Sequence, residues 1–148
     1  DHLRLSFNGA YTDAYLTQDT SDVVGGFDGD PLPFVPEWSL GLSADYEWVV
    51  SGSSTAYVGG TVGYTGDRPI GYDQRGPNGG INELDGYTTV DVRSGIDFGR
   101  FTFELYVKNL TDEFAATSAD TTNTIATGWV DLGIIRPRTI GVSAEARF

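Results

Sequence analysis

The chain contains no cysteine, no methionine and a single histidine, His2. Without thiols there is no disulfide, no thiolate metal centre and no cysteine nucleophile. One imidazole at the start of the chain cannot build a Ser-His-Asp triad or a histidine-rich metal site. No catalytic residue, metal ligand set or cofactor is therefore expected. Positive charge is also scarce: 9 Lys and Arg stand against 21 Asp and Glu, a net charge of −12. That balance is the opposite of the basic footprint that nucleic-acid binding needs. No run of 18 apolar residues occurs, which excludes a transmembrane helix. A membrane barrel is not excluded, because its strands alternate lipid-facing and lumen-facing residues. There is no initiator methionine and no signal peptide, and the chain opens in mid-strand, as a mature piece or a fragment would.

What the sequence does have is 20 Gly, 3 Trp, 8 Tyr and 8 Phe in 148 residues. Mean hydropathy is −0.21, the moderate value that alternating barrel strands average to. Period-two alternation dominates and helical periodicity is nearly absent. Six strands are expected. Residues 2–15 set Leu3, Leu5, Phe7, Gly9 and Tyr11 against Arg4, Ser6, Asn8 and Thr12. Residues 37–49 set Trp38, Leu40, Leu42, Ala44, Tyr46 and Trp48 against Ser39, Gly41, Ser43, Asp45 and Glu47. Residues 54–65 set Ala56, Val58, Gly60, Val62 and Tyr64 against Tyr57, Gly59, Thr61 and Gly63. Residues 86–98 set Val90, Val92, Ser94, Ile96 and Phe98 against Thr89, Asp91, Arg93, Gly95 and Asp97. Residues 101–110 set Phe101, Phe103, Leu105 and Val107 against Thr102, Glu104, Tyr106 and Lys108. Residues 138–148 set Ile140, Val142, Ala144, Ala146 and Phe148 against Thr139, Gly141, Ser143, Glu145 and Arg147.

Alternation alone would also suit a soluble β-sandwich with an apolar core. Strand length separates the two readings. These stretches run about 11–14 residues against the usual 5–6. At roughly 3.3 Å per residue and about 40° of tilt, a strand of about twelve rises about 30 Å, enough to cross an outer membrane. Short links (51–53 and 99–100) alternate with long ones (16–36, 66–85 and 111–137), as periplasmic turns alternate with external loops. Trp38 and Trp48 share one face about 25 Å apart along the axis, the height of an apolar band between two aromatic girdles. Tyr46, Trp48, Phe98, Phe101, Phe103 and Phe148 belong to the periplasmic girdle, and Tyr11, Trp38 and Tyr64 to the external one. The expected architecture is all-β: an antiparallel transmembrane β-barrel segment of about six long up-and-down strands.

The opposite face supplies a polar lumen wall: Arg4, Asp45, Glu47, Asp91, Arg93, Glu104, Lys108, Glu145 and Arg147. Gly99 and Arg100 suit a two-residue type II′ turn. It would pair Phe98 with Phe101, Ile96 with Phe103 and Val92 with Val107. On the wall it would place Asp91 opposite Lys108 and Arg93 diagonal to Glu104, pairs worth about 0.2–1 kcal/mol each. The first long link is acidic, with Asp19, Asp22, Asp28 and Asp30. Phe27-Asp28-Gly29-Asp30 offers oxygen ligands for Ca²⁺, but no full ligand loop is visible and solvated loop charge is the expectation. The glycine-rich stretch 76–80 has no following helix and so no phosphate cradle.

Tyr106-Val107-Lys108-Asn109-Leu110-Thr111-Asp112-Glu113-Phe114 resembles a motif of TonB-dependent receptors, with Asn109, Leu110 and Asp112 at its centre. The ending from Pro137 and Arg138 through Thr139, Ile140 and Gly141 to Phe148 resembles that family's terminus. Val35-Pro36-Glu37-Trp38-Ser39, Tyr64-Thr65-Gly66-Asp67-Arg68 and Leu84-Asp85-Gly86-Tyr87-Thr88-Thr89-Val90-Asp91 are similar as well. The resemblance implies residues 1–148 as the C-terminal part of a barrel of about twenty-two strands in a Gram-negative outer membrane. Such a receptor imports siderophores, vitamins or sugars. Its partners would be outer-membrane lipid, the remaining barrel strands and plug of the same receptor or other copies, and TonB through an N-terminal part not seen here. Gly141, Ala144, Ala146 and Phe148 resemble the signal read by the barrel-assembly machinery, by strand addition. The alternative is a self-standing, non-transport barrel or surface assembly protein, since six strands are fewer than the about eight a packed barrel needs.

Overall fold

The computed structural model describes residues 2–22, 24–72, 83–120 and 131–148. Its strands are β1 (Leu3–Tyr11), β2 (Trp38–Ser51), β3 (Ser54–Thr65), β4 (Arg68–Pro69), β5 (Glu83–Leu84), β6 (Tyr87–Asp97), β7 (Phe101–Lys108), β8 (Ala116–Asp120), β9 (Asp131–Ile134) and β10 (Thr139–Ala146). No helix occurs among the described residues. Six strands form one antiparallel sheet in the order β1-β2-β3-β6-β7-β10, so each lies beside its neighbours in sequence. This is the up-and-down arrangement expected from alternation, open at β1 and β10.

Some bounds differ from expectation. β1 stops at Tyr11 because its partner β2 begins at Trp38, and a ladder can run no further than both strands. β7 stops at Lys108 because Asn109 adopts a left-handed backbone (φ 51°). β10 is confined to the stretch that faces β7. The long links also contain two unforeseen hairpins, β4–β5 and β8–β9. Their strands are 2–5 residues long, too short to leave a periodic signal. The glycine-rich stretch 76–80 lies outside the described residues.

Register keeps the two faces separate across the sheet. Phe7 pairs with Leu42, Leu42 with Val62 and Val62 with Val90. Beyond them Val92 pairs with Val107, and Val107 with Ile140. A slip of one residue anywhere would move a whole strand's apolar set to the other face. The ladder tolerates an irregularity between Val49 and Ser51, beside the turn at Gly52 (φ 54°). The other short turn has Gly99 at φ 86° with no positive φ at Arg100, and the Phe98 N–H donates to the Phe101 carbonyl at 2.8 Å. A type I′ turn needs two positive φ angles, so this geometry fits the expected type II′ turn.

Exposure then decides between membrane barrel and soluble sandwich. Phe7 is 70% exposed and Val142 80%, while the side chains of Asp45 and Glu104 are only 24% and 23% exposed. Along β2, apolar Trp38, Leu40, Leu42, Ala44 and Tyr46 are exposed, and the intervening Ser39, Gly41, Ser43 and Asp45 are partly covered. A sandwich would show the reverse. Among the described residues the buried hydrophobic side chains, Ala56, Leu84 and Ala115, form no core large enough for a water-soluble domain. A continuous apolar surface of this kind needs lipid on it. Leu42→Arg, near the centre of the apolar band, should therefore cost about 2–4 kcal/mol of folding stability in bilayers. Ser43→Arg, on the other face, should cost clearly less. Denaturant titration of both variants in lipid vesicles checks the assignment, and equal losses would refute it.

Candidate functional site

The polar face is organised in rows that cross the strands. In one row Arg4 pairs with Asp45, Asp45 with Gly59, Gly59 with Arg93, Arg93 with Tyr106 and Tyr106 with Gly141. Gly59 has no side chain, so Arg93 on β6 reaches over β3 to Asp45 on β2, with Nη2 2.8 Å from Oδ1. A Cβ at Gly59 would collide with that Asp45 carboxylate. In a second row Glu47 pairs with Tyr57, Tyr57 with Gly95 and Gly95 with Glu104. The Tyr57 ring passes over Gly95, and its hydroxyl donates to Glu104 Oε2 at 2.8 Å. Arg93 ties the rows together, 3.8 Å from Glu104 Oε2 and 5.7 Å from the Tyr57 ring centre. The expected Arg93–Glu104 neighbourhood is present. Tyr57, Gly59 and Gly95 complete the network; alternation alone places them on the polar face and gives them no role. A tyrosine or acid cross-strand from a glycine is the signal that could have found them.

The remaining wall residues sit on the same face but, among the described residues, make no side-chain hydrogen bond or ion pair with Asp45, Arg93, Tyr57 or Glu104. Glu145 and Arg147 meet at 3.0 Å near the short-turn end of the sheet, where Arg147 also approaches Asp97 at 3.5 Å. Glu47 and Lys108 lie near opposite ends of the sheet. The expected opposition of Asp91 and Lys108 does not form. The β6–β7 ladder ends at Val92 and Val107. There the left-handed Asn109 shifts the chain by one residue, so the Leu110 N–H bonds the Val90 carbonyl and Asp91 Oδ1 accepts the Asn109 N–H at 2.8 Å.

Asn109 is buried, 3% exposed, and its side chain is fully hydrogen-bonded. Its amide donates to the Glu113 carbonyl at 2.8 Å and the Arg136 carbonyl at 3.0 Å, and its Oδ1 accepts the Glu113 N–H at 2.9 Å. Asp112, also left-handed at φ 58°, accepts from Arg138 through both its oxygens. The two motifs named from sequence thus meet and clamp the end of β7 to the start of β10. Leu110 stays exposed.

The other long links are tied in turn. Phe34, at φ 61°, donates its N–H to the Pro69 carbonyl at 2.8 Å. Arg68, 4% exposed, donates to the Ala116 carbonyl at 2.7 Å and lies 5.4 Å from the Tyr87 ring centre. Burial pushes the Tyr72 hydroxyl above its ordinary pKa, and the nearby Asp30 adds to the shift. Between the first two links is a cavity of about 480 Å³ lined by Asp13, Glu37, Asp67, Glu83, Trp38 and Tyr64 among others. In the first link, Asp19 and Asp30 carboxylates accept the N–H groups of Asp28 and Phe27. Among the described residues no group of three His, Cys, Asp or Glu is placed to hold a metal.

The aromatics expected to form girdles pair on the apolar face. Tyr11 and Trp38 are 4.9 Å apart at the loop end, and Tyr46 and Trp48 stack at 5.7 Å toward the turn end. Phe98 and Phe103 meet edge to face at 6.4 Å, and Phe101 is exposed beside them. Gly141, Ala144 and Ala146 lie on β10, and Phe148 extends beyond it, fully exposed.

The family model described as TonB dependent receptor-like, beta-barrel, matches residues 2–110. The chain belongs to this family. The fold of the ferric-catecholate import receptor Fiu of E. coli K12, in its closed form, is similar over 99% of this chain, with a TM-score of 0.76 and 22% identity. BauA, the ferric preacinetobactin receptor of Acinetobacter baumannii, is similar over 99%, with a TM-score of 0.72 and 22% identity. The open form of Fiu aligns over 82% of the chain, with a TM-score of 0.61 and 23% identity. The chain spans 19% of closed Fiu and 20% of BauA, about one-fifth of each receptor. Among curated protein sequences none matches. TonB-dependent receptors are transport receptors of the Gram-negative outer membrane that work with TonB, and they are not enzymes.

Asn109→Ala should destabilise the folded barrel, since each buried group left unpaired costs roughly 1–3 kcal/mol. Leu110→Ala, which removes an exposed side chain, should cost much less. Equilibrium unfolding of the two variants makes the comparison, and similar losses would show that the clamp carries no stability.

Proposed function

We propose that residues 1–148 are the C-terminal barrel strands of a TonB-dependent active-transport receptor in a Gram-negative outer membrane. Its solute is of the siderophore type. The observation that carries this reading is the reversed exposure of the sheet. The apolar face is bare, while the polar face holds the Asp45–Arg93–Glu104–Tyr57 network. Lipid suits the first surface, and a hydrated lumen with a plug suits the second. Six strands cannot close a barrel around a packed interior. The free edges of β1 and β10 therefore call for the remaining strands of the same receptor, assembled by the outer-membrane machinery that reads Gly141, Ala144, Ala146 and Phe148. The fold shared with receptors for ferric-catecholate and ferric preacinetobactin supports a ferric chelate as the solute.

The test is uptake of iron-loaded siderophores by a Gram-negative strain that carries the complete receptor, with and without its gene and with and without TonB. Uptake of at least one ferric chelate should fall when either is deleted. Uptake that persists without TonB, or no loss for any chelate, would refute the reading.

A further inference from the structure

The row Arg4–Asp45–Gly59–Arg93–Tyr106–Gly141 ends at β10, the edge of the sheet. At two glycines of such rows, Gly59 and Gly95, a side chain from one strand crosses to the strand beyond. Over Gly59, Asp45 on β2 meets Arg93 on β6. Over Gly95, Tyr57 on β3 meets Glu104 on β7. In both cases the residue reached is the one paired directly with the glycine. Tyr106 repeats the geometry of Tyr57. At Gly95 an added Cβ would meet Cζ and Oη of Tyr57 at 2.5 Å, and at Gly141 it would collide with the same two atoms of Tyr106. The ring tip of Tyr106 thus lies over the edge strand, and its hydroxyl has no hydrogen-bond partner among the described residues.

We propose that Tyr106 is a bridging residue of the barrel seam. Its hydroxyl crosses Gly141 and donates to an aspartate or glutamate on the strand that pairs with β10, at the position opposite Gly141. The occupant is a strand of the same receptor lying outside these 148 residues, so the inference rests on the proposed function. A carboxylate is favoured on physical grounds. A phenol donates its strongest hydrogen bond to an ionised acceptor, as Tyr57 does to Glu104. A side chain at position 141 would block the crossing, which gives glycine there a reason beyond strand pairing.

The experiment is a structure of the complete receptor followed by a double-mutant cycle on its thermal unfolding. The structure should show a strand paired with β10 and a carboxylate opposite Gly141 within hydrogen-bond reach of the Tyr106 hydroxyl. Tyr106→Phe and the amide variant of that carboxylate should each lower the melting temperature by similar amounts, and the double variant should add nothing further. A paired strand with an apolar or basic residue opposite Gly141, or additive losses, would overturn the bridge and leave the receptor reading standing. A complete receptor in which no strand pairs with β10 would overturn both. Because Tyr106→Phe keeps the ring over Gly141, the variant folds with its packing preserved, and the cycle reads the hydroxyl alone.

Discussion

Register is the constraint on which everything else in this sheet depends. A strand places successive side chains on opposite faces, so lipid-facing and lumen-facing sets stay separate only while no strand slips by one residue. From β1 to β10 the pairing holds apolar opposite apolar, or opposite glycine, alanine or serine, across the middle of the sheet. The irregularities lie at its ends, at Val49–Ser51 beside a turn and past Val107 where Asn109 turns left-handed. Inside a bilayer no water is available to satisfy an unpaired backbone group, so a break in mid-strand would cost several kcal/mol. At the ends water is near, and irregular backbone is tolerated.

Strict register also makes the wall network possible. Because the rows align across the strands, glycine at Gly59 and Gly95 opens a path between side chains that are not on adjacent strands. Arg93 then bonds Asp45, and Tyr57 bonds Glu104, each across an intervening strand. These charges are partly sheltered, which strengthens their attraction relative to bulk water. The network ties β2, β3, β6 and β7 together on the face away from lipid, where dispersion contacts between large side chains are few.

The loop end follows a different logic. There the chain leaves the ladder and must satisfy its backbone groups by other means. Asn109 does so with its side-chain amide, Asp112 with both carboxylate oxygens, and Arg68 with carbonyls of its own loop and the next. The motif residues Asn109 and Asp112 therefore act as the root clamp between β7 and β10. This explains why a short polar motif can sit at the end of a long apolar strand. Left-handed backbone is accessible to Asn and Asp at little cost, because their side chains bond locally.

The six strands, their two faces, the alternation of short and long links and the Gly99–Arg100 turn were all legible in the sequence. Each follows from local rules: period two fixes faces, and a glycine at the right offset fixes a hairpin. Even the Ile96–Phe103 and Val92–Val107 pairs follow from that turn by counting. What counting could not reach was any contact between strands that are not neighbours. Nothing in the local pattern says that Arg93 will choose Asp45 on β2, or that Tyr57 will cross Gly95 to Glu104. Nor could it foresee that Asn109 would end the ladder one pair before Asp91 could face Lys108. Alternation decides which side a residue lies on. Only the assembled sheet, by bringing distant strands and loop roots within hydrogen-bond reach, decides which residues meet there.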